Sequence, residues 1–283
     1  MLIELAIADA YAAAFEFTDL DYIDQHHCMA QYLPHPIDYT EAGHYTDDTQ
    51  MSMAIAELLL IHDVWHPITI ADQFVKVYHR DPIVGYSSEF ESLLTDVPDG
   101  EQLLAKLNPH SERNGAAMRS VPLGLLSDKE ELIEKAEMQA KITHDSDAGI
   151  FSAKAIALAA HYFAYNLGEK SQLNRFLETE LFMPVDNNKT TPCACDGYDT
   201  VDAVVTVLMK SRSLGEVIDI AVRMGGDTDS VAAIACGIAS LSKQYHNDLS
   251  EFFYQDFIGS NHSQYGASYL LDLDNKLRNK FLA

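Results

Sequence analysis

Basic residues are scarce in this chain. Lys and Arg total 19 against 43 Asp and Glu, a formal charge of −24 with histidine neutral. Such a surface repels polyanions and offers no basic stripe, so neither nucleic acid nor a membrane is an expected partner. Cysteine is scarce too. Its four residues, at 28, 193, 195 and 236, are too few and too scattered for a disulfide scaffold, and a reducing cytoplasm is the expected location. Long apolar runs are missing: no stretch of about 18 residues lacks a charge, which argues against a membrane-spanning segment. The first 17 residues are apolar but carry Glu4, Asp9 and Glu16 and no basic start, unlike a signal peptide. Alternating runs of Val, Ile, Thr and Tyr are almost absent, so no strand is expected.

What is present is helical periodicity. Residues 48–63, 69–80, 114–126, 129–141, 148–167, 200–210 and 227–243 place apolar side chains at three- and four-residue spacing. Punctuation such as VPDG at 97–100 falls between them, and the polar stretch PVDNNKTTPCACDG at 184–197 predicts a loop between two helical blocks. With 283 residues, 47% of them hydrophobic and without internal repeats, the expectation is a single all-α domain over 1–283.

Two acidic clusters open predicted helices. Thr46-Asp47-Asp48-Thr49-Gln50 precedes one, and Gly225-Gly226-Asp227-Thr228-Asp229-Ser230 precedes an Ala-rich other. Helix capping accounts for either cluster alone, since Thr, Ser and Asp suit N-caps and carboxylates suit the positive end of the dipole. Together they hold more acids than capping needs. Converging carboxylates repel unless a cation joins them, and hard oxygen donors are what Mg²⁺, Mn²⁺ or Ca²⁺ prefer. Two such clusters suit a binuclear site with ions about 3.5–4 Å apart.

YTDDTQM and MGGDTDSVAAIACGIA resemble the two metal-binding signatures of the ADP-ribosylglycohydrolase family. ADAYAAAFEF at 8–17, RNGAAMRSVPLG at 113–124, Thr143-His144 and GYDTVDAVVTVL at 197–208 resemble further family segments in the family's order. The resemblance runs from about residue 3 to 243 and implies an all-α fold and ligation of two Mg²⁺ (or Mn²⁺) ions by Thr46, Asp47, Asp48, Asp227, Asp229 and Ser230. It puts Glu16 by the scissile bond as general acid or base, with Asp48 and Asp227 as the other candidates for activating water. Asn114, Gly115, Met118 and Arg119 would line the ADP-ribose cleft, the diphosphate resting on the helix start at Asn114–Gly115 with Arg119 adding charge. His144 would contact ligand and Tyr198 would stack on adenine.

The implied reaction is metal-dependent hydrolysis of the ribosyl C1″ bond of an ADP-ribosylated protein or small compound, foremost an ADP-ribosyl-arginine on protein. Two alternatives stay open: an ADP-ribose-binding module with little turnover, and a Mg²⁺-dependent hydrolase of another N-ribosyl or nucleoside-diphosphate compound. Three departures bear on them. Ala8 and Ala12 stand where the family has glycine, Tyr86 stands near the place of an extra acidic metal-site residue, and Asp-Ser-Asp follows His144. Other constellations read as structural: His62 and His66 are followed at once by Pro67, Cys193-Ala-Cys195 lacks a partner pair, and His26-His27-Cys28 reads as a surface loop.

Overall fold

Helix follows helix in the computed structural model, which describes residues 1–37 and 40–282. In chain order these are α1 (Leu2–Ala12), α2 (Leu20–His26), α3 (Asp47–Ile61), α4 (Pro67–Arg80), α5 (Ser88–Asp96), α6 (Gly100–Lys106), α7 (Gly115–Met118) and α8 (Lys129–Lys141). They continue with α9 (Asp147–Ala164), α10 (Leu173–Leu181), α11 (Gly197–Lys210), α12 (Leu214–Met224), α13 (Thr228–Ala239), α14 (Glu251–Gln255) and α15 (Ala267–Phe281). Among the described residues there is no strand, only isolated backbone bridges such as Cys193 with Gly226. None of the helices is long and apolar enough to cross a membrane.

Small side chains decide which helices meet. α1 (LIELAIADAYA) and α13 (TDSVAAIACGIA) are buried along nearly their whole length and lie against each other at the centre. Alanine and glycine let their axes approach: a methyl on Gly237 would sit 3.1 Å from Leu5 Cδ1. Ala8 and Ala12, the departures noted above, are fully buried in this seam, and the Ala12 carbonyl accepts a hydrogen bond from Thr228 Oγ1 at 2.8 Å. Alanine is therefore accommodated there. α9 forms the second axis, flanked by α8, α11 and a 3₁₀ segment at Val121–Leu125.

The segment 114–126 differs from its expected single helix. α7 stops after one turn, and Arg119 and Ser120 separate it from the 3₁₀ segment. Pro122 lacks an amide hydrogen and its ring would clash with a helical carbonyl four residues back. Ser120 Oγ meanwhile donates to the Ala116 carbonyl at 2.7 Å. α5, α6, α10, α12 and α15 lie outside the stretches whose periodicity predicted helix; α5 and α6 matter most, because they form a wall of the cavity described below.

Gly124 in the 3₁₀ segment packs directly on α9, where an added methyl would overlap Ala160 Cβ and the backbone at His161. Overpacking of this kind costs about 1–3 kcal/mol. Gly124→Ala is expected to lower stability by that amount in denaturant unfolding, with an unchanged helical signal in the folded baseline; an unaltered midpoint would mean that α9 yields freely.

Candidate active site

A cavity of about 800 Å³ opens between α5–α6 on one side and the starts of α3, α7 and α13 on the other. Its floor carries Glu16, Asp47, Asp48, Asp227, Asp229 and Ser230. Asp47, Asp48, Asp227, Asp229 and Ser230 of the two acidic clusters thus meet at one place with Glu16, while Thr46 is absent from the lining and lies buried against Asp9.

The capping explanation of the clusters fails on the local geometry. Several N-caps in the chain are side-chain bonded: Asp128 accepts from Glu130 N and Glu131 N, Ser146 from Gly149 N, and Asp196 from Tyr198 N and Asp199 N. At α3 and α13 the N-cap residues Thr46 and Asp227 make no such bond. The cap of α3 comes instead from another helix. Asp9, wholly buried in α1, accepts from Thr46 N (3.1 Å), Thr46 Oγ1 (2.9 Å) and Thr49 N (3.1 Å), and also from Thr49 Oγ1. Asp9 is a site residue that motif reading passed over; its sequence signal is a lone acid inside the apolar run ELAIADAYA. With Asp9 serving the α3 amides, the side chains of Asp47 and Asp48 are released from capping.

Those carboxylates are crowded. Oxygens of Glu16, Asp227 and Asp229 lie within 4.8 Å of one another. Burial pushes the Asp47 carboxyl up to about 8, with Asp9 and Asp227 adding repulsion. Burial and neighbouring carboxylates likewise hold Asp48 and Asp229 well above the ordinary range, while Asp9, despite its hydrogen bonds, is raised by burial to about 6. Asp48 Oδ1 and Asp229 Oδ1 are buried without any hydrogen-bond partner. Buried polar atoms are nearly always paired, so two orphaned carboxylate oxygens in one cluster call for a cation. All-oxygen donors of this hardness fit Mg²⁺ or Mn²⁺.

Around the cluster, backbone and side chains fix its members. Gly225 and Gly226 both have positive φ (73° and 82°), and a side chain at Gly226 would collide with the Cys193 carbonyl. Asp227 N donates to that same carbonyl at 2.9 Å, so the 184–197 loop braces the turn carrying Asp227. Asn114 Nδ2 donates to Asp227 Oδ2 (2.8 Å) and to Thr200 Oγ1 (3.1 Å). Gly85, at φ 113°, lets its backbone lie directly against Asp47, while the buried Tyr86 hydroxyl donates to Gln50 Oε1 at 2.7 Å. Cys195 also faces the cavity, its thiol pushed by burial and Asp227 up to about 12 and so held protonated.

The remaining expected contacts divide. Gly115, Met118 and His144 line the cavity. His144 Nδ1 lies 2.6 Å from Thr143 Oγ1, and burial lowers its pKa to about 3, so it acts as a neutral ring. Arg119 reaches the wall, but its guanidinium is almost fully buried. Nε bonds Gln139 Oε1, Nη2 bonds Gln139 O (2.9 Å) and Thr143 Oγ1 (2.7 Å), and the group lies 4.5 Å over the Phe74 ring. The Asn114 amide is already given to the Cys195 carbonyl at 2.9 Å, and α7 is a single turn. Tyr198, in the first turn of a helix capped by Asp196, is absent from the cavity lining; its ring packs 4.9 Å from Phe151 of α9. Glu16 follows a 3₁₀ turn that ends α1, and of its flanking aromatics Phe15 is buried while Phe17 is 55% exposed at φ 46°. His62 and His66 end and begin different helices, α3 and α4, and both are exposed away from the cavity. His27, expected on the surface, is buried against Tyr11 and Asp219.

Second-sphere partners of metal ligands typically tune ion affinity by about 10–100-fold. Asn114→Ala is therefore expected to weaken divalent-ion binding by at least about 10-fold in calorimetry while the protein stays folded. Unchanged affinity would show that Asp227 needs no orienting partner.

The comparisons with known proteins agree with this geometry. A family model described as ADP-ribosylglycohydrolase matches residues 1–242. The chain is 24% identical over 265 residues to a protein of Archaeoglobus fulgidus, covering 86% of each. It is 35% identical over 132 residues to "ADP-ribosylhydrolase ARH3" of Homo sapiens, 43% of this chain but only 36% of that protein's length. It is 22% identical over 267 residues to "ADP-ribosylarginine hydrolase Tri1" of Serratia proteamaculans, 87% of this chain and 71% of the other. A solved "ADP-ribosylglycohydrolase-related protein complex" superposes with a TM-score of 0.69 over 98% of this chain and 95% of its own, at 18% identity, which establishes a common fold. With the family model matched over most of its length, the chain belongs to the ADP-ribosylglycohydrolase family, a family of hydrolytic enzymes.

Proposed function

We propose that this protein hydrolyses the bond between C1″ of the distal ribose of an ADP-ribosyl group and its acceptor, with arginine on a protein as the foremost acceptor and free ADP-ribose as the product. The observation that carries the reading is the pair of orphaned oxygens on Asp48 and Asp229 beside Glu16, on the floor of a cavity whose volume suits a nucleotide-sized ligand. Similarity to the Serratia arginine hydrolase along 87% of the chain, against 43% for the human enzyme, favours arginine.

Asp47, Asp48, Asp227 and Asp229, with the hydroxyls of Thr46 and Ser230, would hold two ions, Mg²⁺ or Mn²⁺. Thr46 gives its proton to Asp9, which leaves its oxygen lone pairs for that purpose. When bound, the ions supply positive charge and Lewis acidity toward sugar hydroxyls and water. Glycoside hydrolysis passes through an oxocarbenium-like state, which needs a proton delivered to the leaving group and one removed from water. Glu16 is the carboxyl group suited to that exchange, because it reaches the cluster from a separate segment and retains more exposure than Asp48, Asp227 or Asp229. Neutral His144 and buried Arg119 shape the wall without adding a mobile proton at neutral pH.

Incubation with ADP-ribosyl-arginine, ADP-ribosyl-serine and free ADP-ribose, with Mg²⁺ or with chelator, tests the proposal. ADP-ribose is expected to appear from the arginine conjugate only with Mg²⁺. Binding of ADP-ribose without turnover of either conjugate would leave a binding module instead. Glu16→Gln is expected to lower kcat by at least ~10²-fold with little change in ADP-ribose affinity, the usual size of an acid–base loss. Retained kcat would move proton transfer to Asp48 or Asp227.

The carboxyl shifts set a pH dependence. Folded-state values raised above the unfolded ones mean that between about pH 4 and about pH 8 the native state holds more protons than the unfolded state, so the metal-free protein loses stability as pH rises through that window. A divalent ion offsets the same repulsion and competes with the same protons. The gap in Tm between Mg²⁺ and chelator is expected to widen from pH 5 to pH 8; a constant gap would mean that the ion binds elsewhere.

A further inference from the structure

Lys106 and Arg113 stand on the cavity wall, and among the described residues neither makes an ion pair. Several cations elsewhere are committed to acids, Arg80 to Glu57, Lys129 to Glu180, Lys154 to Glu137 and Arg278 to Asp274, whereas the Lys and Arg residues lining the cavity are Lys106, Arg113 and the buried Arg119. Both side chains of the pair are exposed although Glu89 and Asp96 line the same cavity. Lys106 closes α6, and Arg113 sits just before α7, where its backbone bridges to Asp196. The wall is thus anchored on both sides.

A ligand carrying a diphosphate brings two negative charges into a cavity that already holds seven carboxylates: Glu16, Asp47, Asp48, Glu89, Asp96, Asp227 and Asp229. Ions at the floor would answer the carboxylates there, but the diphosphate needs positive charge of its own. Arg119 is ill placed to give it, because Gln139, Thr143 and the Phe74 ring already engage its buried guanidinium. The Asn114 amide is likewise taken. Arg113 has a planar fork matched to phosphate oxygens, and Lys106 is a compact charge on a flexible stem. We propose that Lys106 and Arg113 seat the diphosphate of the ADP-ribosyl group, and so set affinity for the nucleotide half independently of the carboxylate floor. This rests on the proposed function.

The test is calorimetric titration of ADP-ribose, in Mg²⁺, into the wild type and into Lys106→Gln, Arg113→Gln and the double variant. Charge-assisted hydrogen bonds are worth enough that each single change is expected to weaken binding roughly 10-fold. The double variant should also lose most of the salt dependence of the wild type, since the screened charges are gone. Arg113→Lys should recover part of the affinity, and Mg²⁺ affinity measured without nucleotide should be unchanged throughout. Both side chains are exposed, so the substitutions leave the core intact. Wild-type affinity and salt dependence in the double variant would overturn this inference while leaving the glycohydrolase reading standing. Failure of the wild type to bind ADP-ribose while it binds Mg²⁺ would overturn both.

Discussion

The Asp9 carboxylate, sealed inside the central helix, is the interaction on which the site depends. Its two oxygens accept from two backbone amides and two hydroxyls of Thr46 and Thr49, which joins α1 to the first turn of α3. A buried carboxylate is costly unless its hydrogen-bonding capacity is filled, and here it is filled by the donors that α3 would otherwise leave orphaned. Asp47 and Asp48 then point into the cavity because their helix start is satisfied from behind. The mirror arrangement at α13 uses different means: two left-handed glycines, the Cys193 carbonyl and the Asn114 amide aim Asp227 and Asp229.

Much of this was legible in the sequence, for physical reasons. The two acid clusters announce themselves because four carboxylates at two helix starts exceed any capping need, and the Gly-Gly pair marks a turn that only glycine tolerates. The long helices α3, α9 and α11 read clearly because alanine and apolar residues recur along them, whereas the more polar α15, also fifteen residues long, did not. The short, polar helices α5 and α6 did not, since amphipathic periodicity over seven to nine residues is weak, and with them went one wall of the cavity. Tyr198 illustrates another limit. Its place beside a glycine-bearing loop gave no hint that its ring would pack on Phe151, 47 residues earlier in the chain. Asp9 stayed hidden because a single acid in an apolar helix has no partner visible nearby in sequence; its partners lie 37 and 40 residues on.

The division of charge is the other organising constraint. A chain with net charge −24 gathers a small group of its acids at the cavity floor and pairs many of its cations at the surface. Arginine is spent in two distinct ways at the cavity. Arg119 is sunk into the wall, where burial lowers its pKa to about 9 and its bonds to Gln139 and Thr143 hold His144 in place. Arg113 stays exposed. Sequence position alone does not separate these roles, because both flank the same short helix.

The pairing of α1 with α13 also bears on how the chain reaches this state. Thr228 meets the Ala12 carbonyl across 216 residues, and the seam between the two helices is the apolar centre of the molecule. Contacts of such long range make for slow folding, because loop closure must precede their reward. During synthesis, at roughly 5–20 residues per second, α1 emerges well before α13 and must wait tens of seconds for this main partner. For that interval LIELAIADAYAAAF is an apolar helix without its final cover, a surface of the kind that chaperones recognise and that aggregates when left alone.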